Sequence, residues 1–231
     1  KADKTTYDLD KASGKYDKLN DLLSNDFRNQ YGYIQTGMRF RNQRKKFNYT
    51  VGANWQEASL EGKIIAVNKD SVITKTFHNI LPNARFQYNF SRYKNLVMNY
   101  STNTNQPSAS QLQPVPDNSN TLNVRIGNPD LSQEFSHAMR VQFTSVNPFK
   151  NRNLFLFLNL IKTDNKIVNS QIVSNGSTTT KPVNVDGIYN LNGDISFGFP
   201  IRFLKGNVNL SANGGYLRNK QFVNLVQNNS D

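Results

Sequence analysis

Apolar and polar positions alternate with a period of two through most of this chain. The clearest stretch is 134–146, where Phe135, His137, Met139, Val141 and Phe143 fall on one face. Ser136, Ala138, Arg140, Gln142 and Thr144 fall on the other. Alternation sustained over about ten residues predicts a strand with one apolar and one polar face.

The pattern recurs in pairs. Ile34, Thr36, Met38 and Phe40 oppose Tyr33, Gln35, Gly37 and Arg39; after the turn at 41–46, Phe47, Tyr49, Val51, Ala53 and Trp55 oppose Asn48, Thr50, Gly52, Asn54 and Gln56. Two such runs joined by a short basic turn predict a hairpin. The segments 63–67 and 71–74 are expected to extend these strands beyond a membrane. In the second pair, Ala84, Phe86, Tyr88 and Phe90 oppose Arg85, Gln87 and Asn89; Leu96, Met98 and Tyr100 then oppose Val97, Asn99 and Ser101. The third pair joins 134–146 to 154–161, which is apolar on both faces at first, so periodicity does not orient it. In the fourth, Tyr189, Leu191, Ile195, Phe197 and Phe199 precede Val208, Leu210, Ala212 and Tyr216.

The expected organisation is four hairpins over 30–60, 83–102, 134–165 and 186–217. Long polar loops lie at 103–133 and 166–185, and a polar segment, with a helical turn near 17–23, occupies 1–29. About eight strands of roughly nine to eleven residues, with short turns at one end and long loops at the other, match an outer-membrane barrel. Tyr31, Trp55, Phe90, Tyr100 and Phe135 stand at strand ends, where interfacial girdles are expected. A soluble β-sandwich, as a surface or carbohydrate-binding protein, accounts for the same alternation and is the alternative.

Composition narrows this. Of 231 residues 36% are apolar, and mean hydropathy is -0.65. Aromatics still reach 11%, which argues against disorder. No apolar run approaches the roughly 18 residues of a membrane helix, which leaves strands as the means of crossing. There is no Cys, so disulfides and thiolate metal sites are excluded. The first residues, Lys-Ala-Asp, suggest a processed product or an internal piece. Net charge is +12, but the basic residues cluster at reversals (Arg41, Arg44, Lys45 and Lys46; Arg92 and Lys94; Lys150 and Arg152; Arg202 and Lys205) rather than along a stripe. That placement disfavours a nucleic-acid partner.

Catalytic patterns are weak. Asp8, Asp10 and Gly14 lack the closing Glu of a calcium loop, so no metal is expected. His137 and its neighbour Ser136 point to opposite faces, which is poor geometry for Ser–His chemistry. No Gly-rich phosphate loop precedes a helix. Neither enzymatic activity nor a cofactor is expected.

Three segments carry a family resemblance. They are Leu81-Pro82-Asn83 with the following Ala-Arg-Phe-Gln-Tyr-Asn-Phe90; the Asn99–Leu112 segment, strongest at Pro107, Ser108, Gln111 and Leu112; and Gly127-Asn128-Pro129-Asp-Leu131-Ser-Gln-Glu134 with Ser136. Together they resemble barrel segments of Bacteroidota TonB-dependent outer-membrane receptors, with Ser132-Gln133 as a minor departure. The resemblance implies a transmembrane antiparallel up-and-down β-barrel in the cell outer membrane, of about 22 strands around a plug. It also implies uptake of a nutrient ligand such as a siderophore, glycan, peptide or cobalamin. About eight strands and no plug-like segment make this chain an internal or C-terminal barrel fragment, a self-contained eight-stranded barrel being the alternative. The implied partners are outer-membrane lipid, the rest of the barrel and its plug, and TonB indirectly through the plug. Arg39, Arg85, Gln87, Asn99 and Arg140 are expected on the face turned to the lumen or plug.

Overall fold

The computed structural model describes residues 2–20, 25–66, 71–117, 120–174, 176–224 and 226–230. In chain order the strands are β1 (Ala2–Lys4), β2 (Tyr7–Asp10), β3 (Lys15–Leu19), β4 (Asn25–Gln43), β5 (Phe47–Ala66), β6 (Ser71–Ser91) and β7 (Lys94–Asn105). A single-turn helix α1 (Ala109–Leu112) and β8 (Asn123–Arg125) follow. Then come β9 (Glu134–Asn147), β10 (Arg152–Asp164), β11 (Lys166–Ser174), β12 (Ser177–Val185), β13 (Ile188–Ile201), β14 (Gly206–Val223) and β15 (Val226–Ser230).

Eight long strands make the wall. They pair antiparallel in the order β4-β5-β6-β7-β9-β10-β13-β14. This is an up-and-down meander in which each strand meets its nearest long neighbour in sequence. Among the described residues β4 and β14 do not pair with each other, so the sheet is an open, curved wall. The reversals at 44–46, 92–93, 148–151 and 202–205 all lie at one end. At the other end β7 leads into α1 and β8, and β10 leads into the β11–β12 hairpin.

Register settles the two faces. On one, Phe47, Tyr88, Leu96, Phe143, Leu156, Ile195 and Ala212 stand side by side. One row further from the short turns come Tyr49, Phe86, Met98, Val141 and Leu158, then Val51, Ala84, Tyr100, Met139, Leu160, Leu191 and Tyr216. The next row is Thr102, His137, Lys162, Tyr189 and Arg218, where the apolar band ends. On β9 the band spans 137–145, close to the roughly nine to eleven residues a tilted strand needs to cross a bilayer. The register also orients 154–160: Leu154, Leu156, Leu158 and Leu160 join the apolar face, and Phe155 and Phe157 join the polar one.

The strands are longer than the span expected from sequence. β5 and β6 have 20 and 21 residues and remain paired from Phe47–Tyr88 to Ile64–Ser71. The extra residues lie beyond the band on the loop side. There a strand pair needs only its own ladder and a docking partner, and 63–66 and 71–74 prolong the ladder as expected. The polar segment 1–29 holds the β2–β3 hairpin, β1 and the start of β4. The helical turn expected near 17–23 is corrected in part: Lys15–Leu19 is a strand, paired with Tyr7–Asp10, and 21–24 lie outside the described residues. Alternate charged and apolar residues across a two-strand ladder favour that arrangement over a helix.

The facing makes a quantitative prediction. Val141→Lys, in the middle of the apolar band, should destabilise the membrane-folded protein by about 2–4 kcal/mol. A lysine at Asn159, on the polar face, should cost far less. Reversible unfolding in lipid vesicles measures both; equal costs would contradict the facing.

Candidate functional site: the polar face and the loop folded over it

The polar face is the candidate functional surface, because the long loop folds onto it. Leu60, Leu112 and Leu131 are fully buried against one another, flanked by Tyr31, Ile73, Phe77, Ala109 and Ile167. Tyr31, Leu60, Ile73 and Phe77 all share the face of Arg39 and Asn83 by strand parity. The one sizeable apolar core of the described chain therefore sits inside the wall, between the loop-side extensions of β4–β6 and the segment 106–133. A loop docked on this side marks it as the interior of the barrel.

The three motif segments, separated in sequence, meet here. Leu81 is buried on the interior face and Asn83 lies two residues on, opposite Gly52 and Ser101. A Cβ on Gly52 would meet the Arg39 side chain at 2.7 Å and Asn83 Oδ1 at 3.2 Å, so the glycine makes room for both. Pairing of β6 with β7 ends at Asn83–Ser101, next to Pro82. Proline has no N–H to give to a ladder. The ladder stops there, and the Pro82 carbonyl accepts from the Thr102 hydroxyl at 3.0 Å. Beyond that point β7 and β9 separate from β6, and the loop enters beside them.

Pro107 is fully buried at the loop's entrance. Ser108 caps α1: its Oγ accepts from Gln111 N, and Gln111 Oε1 accepts from Ser108 N at 2.9 Å. This reciprocal cap stabilises a helix too short to persist alone and aims Leu112 into the core. The Gly127–Glu134 segment returns alongside it. Gly127 N donates to Gln113 O and Asn128 N to Gln111 O. A Cβ at Gly127 would collide with the Gln113 backbone, which requires glycine. Asn128 Oδ1 accepts from Asp130 N at 3.1 Å, closing an Asx turn with Pro129 inside it, and Asn128 Nδ2 donates to Pro182 O at 3.0 Å. The turn delivers Leu131 to the core.

Charged and polar anchors complete the junction. The Glu134 carboxylate, 7% exposed, pairs with Lys166 Nζ at 3.0 Å and accepts from Ile167 N at 3.0 Å and Asn105 Nδ2 at 3.3 Å. It thus ties β7, β9 and β11 together. Ser136 Oγ meets Thr163 Oγ1 at 3.1 Å. Lys75 Nζ donates to the Leu131 carbonyl at 2.8 Å, and burial pushes its pKa down despite the nearby Asp130 carboxylate. Gln133 bonds Asn79 at 2.9 Å and reaches Tyr31 OH, whose pKa burial pushes up. Sequence reading did not find Tyr31, Lys75, Asn79 and Lys166 as anchors. Their partners lie 32 to 102 residues away, and no local pattern marks them.

Tyr31 also corrects the girdle expectation, since it packs in the interior core. Tyr100 does lie on the outer face, where its hydroxyl meets His137 Nδ1 at 2.8 Å. His137 Nε2 lies 3.5 Å from Asp164, which Lys162 pairs at 2.9 Å. This mixed aromatic and polar row tops the apolar band, where amphipathic rings bridge lipid and water.

Nearer the short turns the interior face is hydrophilic and basic. Arg39, Arg41, Asn48, Thr50, Arg85 and Gln87 line a concavity of about 450 Å³, and Arg85, Asn99, Ser101, Ala138 and Arg140 line another of about 340 Å³. The five residues expected to face inward therefore share one face.

A wall with an apolar outer band, a hydrophilic interior and a loop packed inside it defines a transmembrane β-barrel of the outer membrane. The chain belongs to the Outer membrane protein beta-barrel family, whose model matches residues 2–231. Its fold is similar to that of the hemophore receptor HasR of Serratia marcescens, solved with its hemophore HasA and heme: TM-score 0.56 and 12% identity, covering 82% of this chain and 34% of that one. The siderophore receptor PirA from Pseudomonas aeruginosa is also similar, with TM-score 0.45 and 12% identity over 85% of this chain and 46% of that one. The chain thus spans about a third of the first and a little under half of the second. No curated protein matches the sequence.

Two substitutions test the junction. Leu131→Ala should cost about 2–5 kcal/mol as a cavity in a small core. Glu134→Gln should cost about 1–3 kcal/mol through its charged hydrogen bonds. Both should speed protease cleavage within 106–133 while leaving the wall strands protected; cleavage at the wild-type rate would argue against the packing.

Proposed function

We propose that this chain is wall and loop of a TonB-dependent receptor of the Bacteroidota type. The whole protein would bind a nutrient ligand (siderophore, glycan, peptide or cobalamin) at the extracellular face and pass it through a plugged barrel. The observation that carries the reading is the pair of free edges. Among the described residues, β4 meets β1 over 25–27 on the side away from β5, and no strand pairs there along 29–43. On β14, the span 206–218 pairs with β13 alone. An unpaired strand edge does not persist in hydrocarbon, where no water satisfies its N–H and C=O groups. Further strands at both edges would complete a large barrel. The overlap with about a third of HasR supports this reading, as do the three motif segments. Plug contact with the hydrophilic face, and TonB acting through that plug, follow from the same proposal.

Purification from native membranes tests it. Detergent-dependent extraction with an intact polypeptide several times the mass of this chain is the expected result. Extraction at about the chain's own 26.3 kDa would instead mean that β4 and β14 close a small barrel. Recovery without detergent would end the membrane reading.

A further inference from the structure

Cations gather on the outer face where the apolar band ends. In that row Thr102 and His137 stand on β7 and β9, and Lys162, Tyr189 and Arg218 follow on β10, β13 and β14. Lys220 lies two residues further along β14, on the same face by parity. With strands about 4.8 Å apart and a rise of about 3.4 Å per residue, Lys162 and Lys220 stand about 10 and 7 Å from Arg218 along the backbone. A Cβ at Gly187 would meet Lys220 Nζ at 3.3 Å and Tyr189 Cε2 at 4.0 Å, so the ammonium lies over the glycine and beside the phenol ring. The pairing of these cations is uneven. Asp164 holds Lys162 at 2.9 Å, and Asp186 accepts from Asn165 N at 2.7 Å. Among the described residues no carboxylate pairs with Arg218 or Lys220. Arg218 is half-buried, and its Nε is covered without a hydrogen-bond partner. A cation withdrawn from water without a counter-charge is costly, so the site favours an anion from outside the chain.

We infer that Arg218, Lys220 and the Tyr189 hydroxyl seat the phosphate of an anionic lipid headgroup, in the leaflet next to the long loops. Location selects the occupant. These side chains share the outer face, and the row beneath them is Leu160, Leu191 and Tyr216 of the apolar band. Acyl chains cover that band, so headgroup phosphates come level with the row above it. A soluble anion gains nothing from the band, whereas a lipid anchored there presents its phosphate at high local concentration. The guanidinium supplies a planar fork for phosphate oxygens and the ammonium a compact point charge. A tyrosine at this height sets its ring against acyl chains and its hydroxyl among headgroups. The inference goes beyond the proposed uptake function and needs only the outer-membrane barrel and the facing of its strands.

The test uses the full-length protein in nanodiscs of equal parts phosphatidylcholine and phosphatidylglycerol. Native mass spectrometry reads the fraction released with each lipid bound. Phosphatidylglycerol should be retained in preference. Arg218→Gln with Lys220→Gln should lower its retention about tenfold, and Arg218→Lys, which keeps the charge, should preserve most of it. Lys220→Gln alone leaves the half-buried guanidinium in place and should lower retention about threefold, which keeps the inference testable if the double variant folds poorly. Lys150→Gln with Arg202→Gln, at the short turns, should lower it far less. Equal retention of the two lipids, retention insensitive to the double change, or an equal loss from the short-turn variant would each overturn the inference. Inorganic phosphate is offered to the same protein in neutral detergent micelles. Phosphate held as tightly as the lipid, and lost with the same substitutions, would overturn the lipid as its source. None of these readouts depends on the transported ligand or the total strand number, so the uptake reading stands or falls separately.

Discussion

Backbone hydrogen bonding in a medium without water is the constraint on which everything here depends. Between the short turns and the Thr102–Arg218 row, each N–H and C=O must find a partner within the sheet. Regular antiparallel pairing along the order β4-β5-β6-β7-β9-β10-β13-β14 does this for the interior strands, and it leaves side chains with only two directions. Leucine, methionine and most aromatics go outward, Phe155 and Phe157 being exceptions, while arginines such as Arg85 and Arg140 and amides such as Asn99 and Gln142 go inward. The low mean hydropathy and the membrane location are therefore compatible, because half of each strand never meets lipid.

Away from the bilayer the same wall is held differently. The extensions of β4, β5 and β6 rely on a small interior core built from Leu60, Leu112 and Leu131, and the chain spends its more unusual local chemistry on delivering the last two. A proline ends one ladder, a Ser–Gln reciprocal cap fixes one helical turn, and a glycine admits close backbone contact with Gln113. An asparagine shapes a turn, and a buried glutamate joins three strands. These are the residues that make three separate sequence segments recognisable, and their common purpose is to fix a long polar connection inside the barrel mouth. The loop is thereby packed and hydrogen-bonded against the interior face of the wall.

Much of this was legible in the sequence, for physical reasons. Alternation is a local property, so the facing of Met139 against Arg140, or of Phe86 against Arg85, follows from parity alone. Where both parities are apolar, as at 154–158, local pattern is silent and only the partner strands resolve it. Strand length was underestimated because β5 and β6 continue past the lipid on ladder and loop contacts, which hydropathy does not report. Tyr31 looked interfacial because it stands near a strand end. Its parity with Arg39 was visible, but the loop that covers it is brought close only by the fold. Likewise the motif residues from Pro107 to Ser136 were conspicuous as a pattern, while their mutual contacts depend on a wall assembled from elsewhere in the chain.

The central claim is that one set of alternate residues meets lipid and the other meets an aqueous interior. Spin labels placed one at a time along 154–160 test it most directly, on the stretch whose sequence does not decide the matter; the chain's lack of cysteine makes single-site labelling straightforward. In the full-length protein in bilayers, oxygen accessibility should peak at Leu154, Leu156, Leu158 and Leu160, with a polar nickel reagent favouring Phe155, Phe157 and Asn159. The opposite phase, or no two-residue oscillation, would contradict the account.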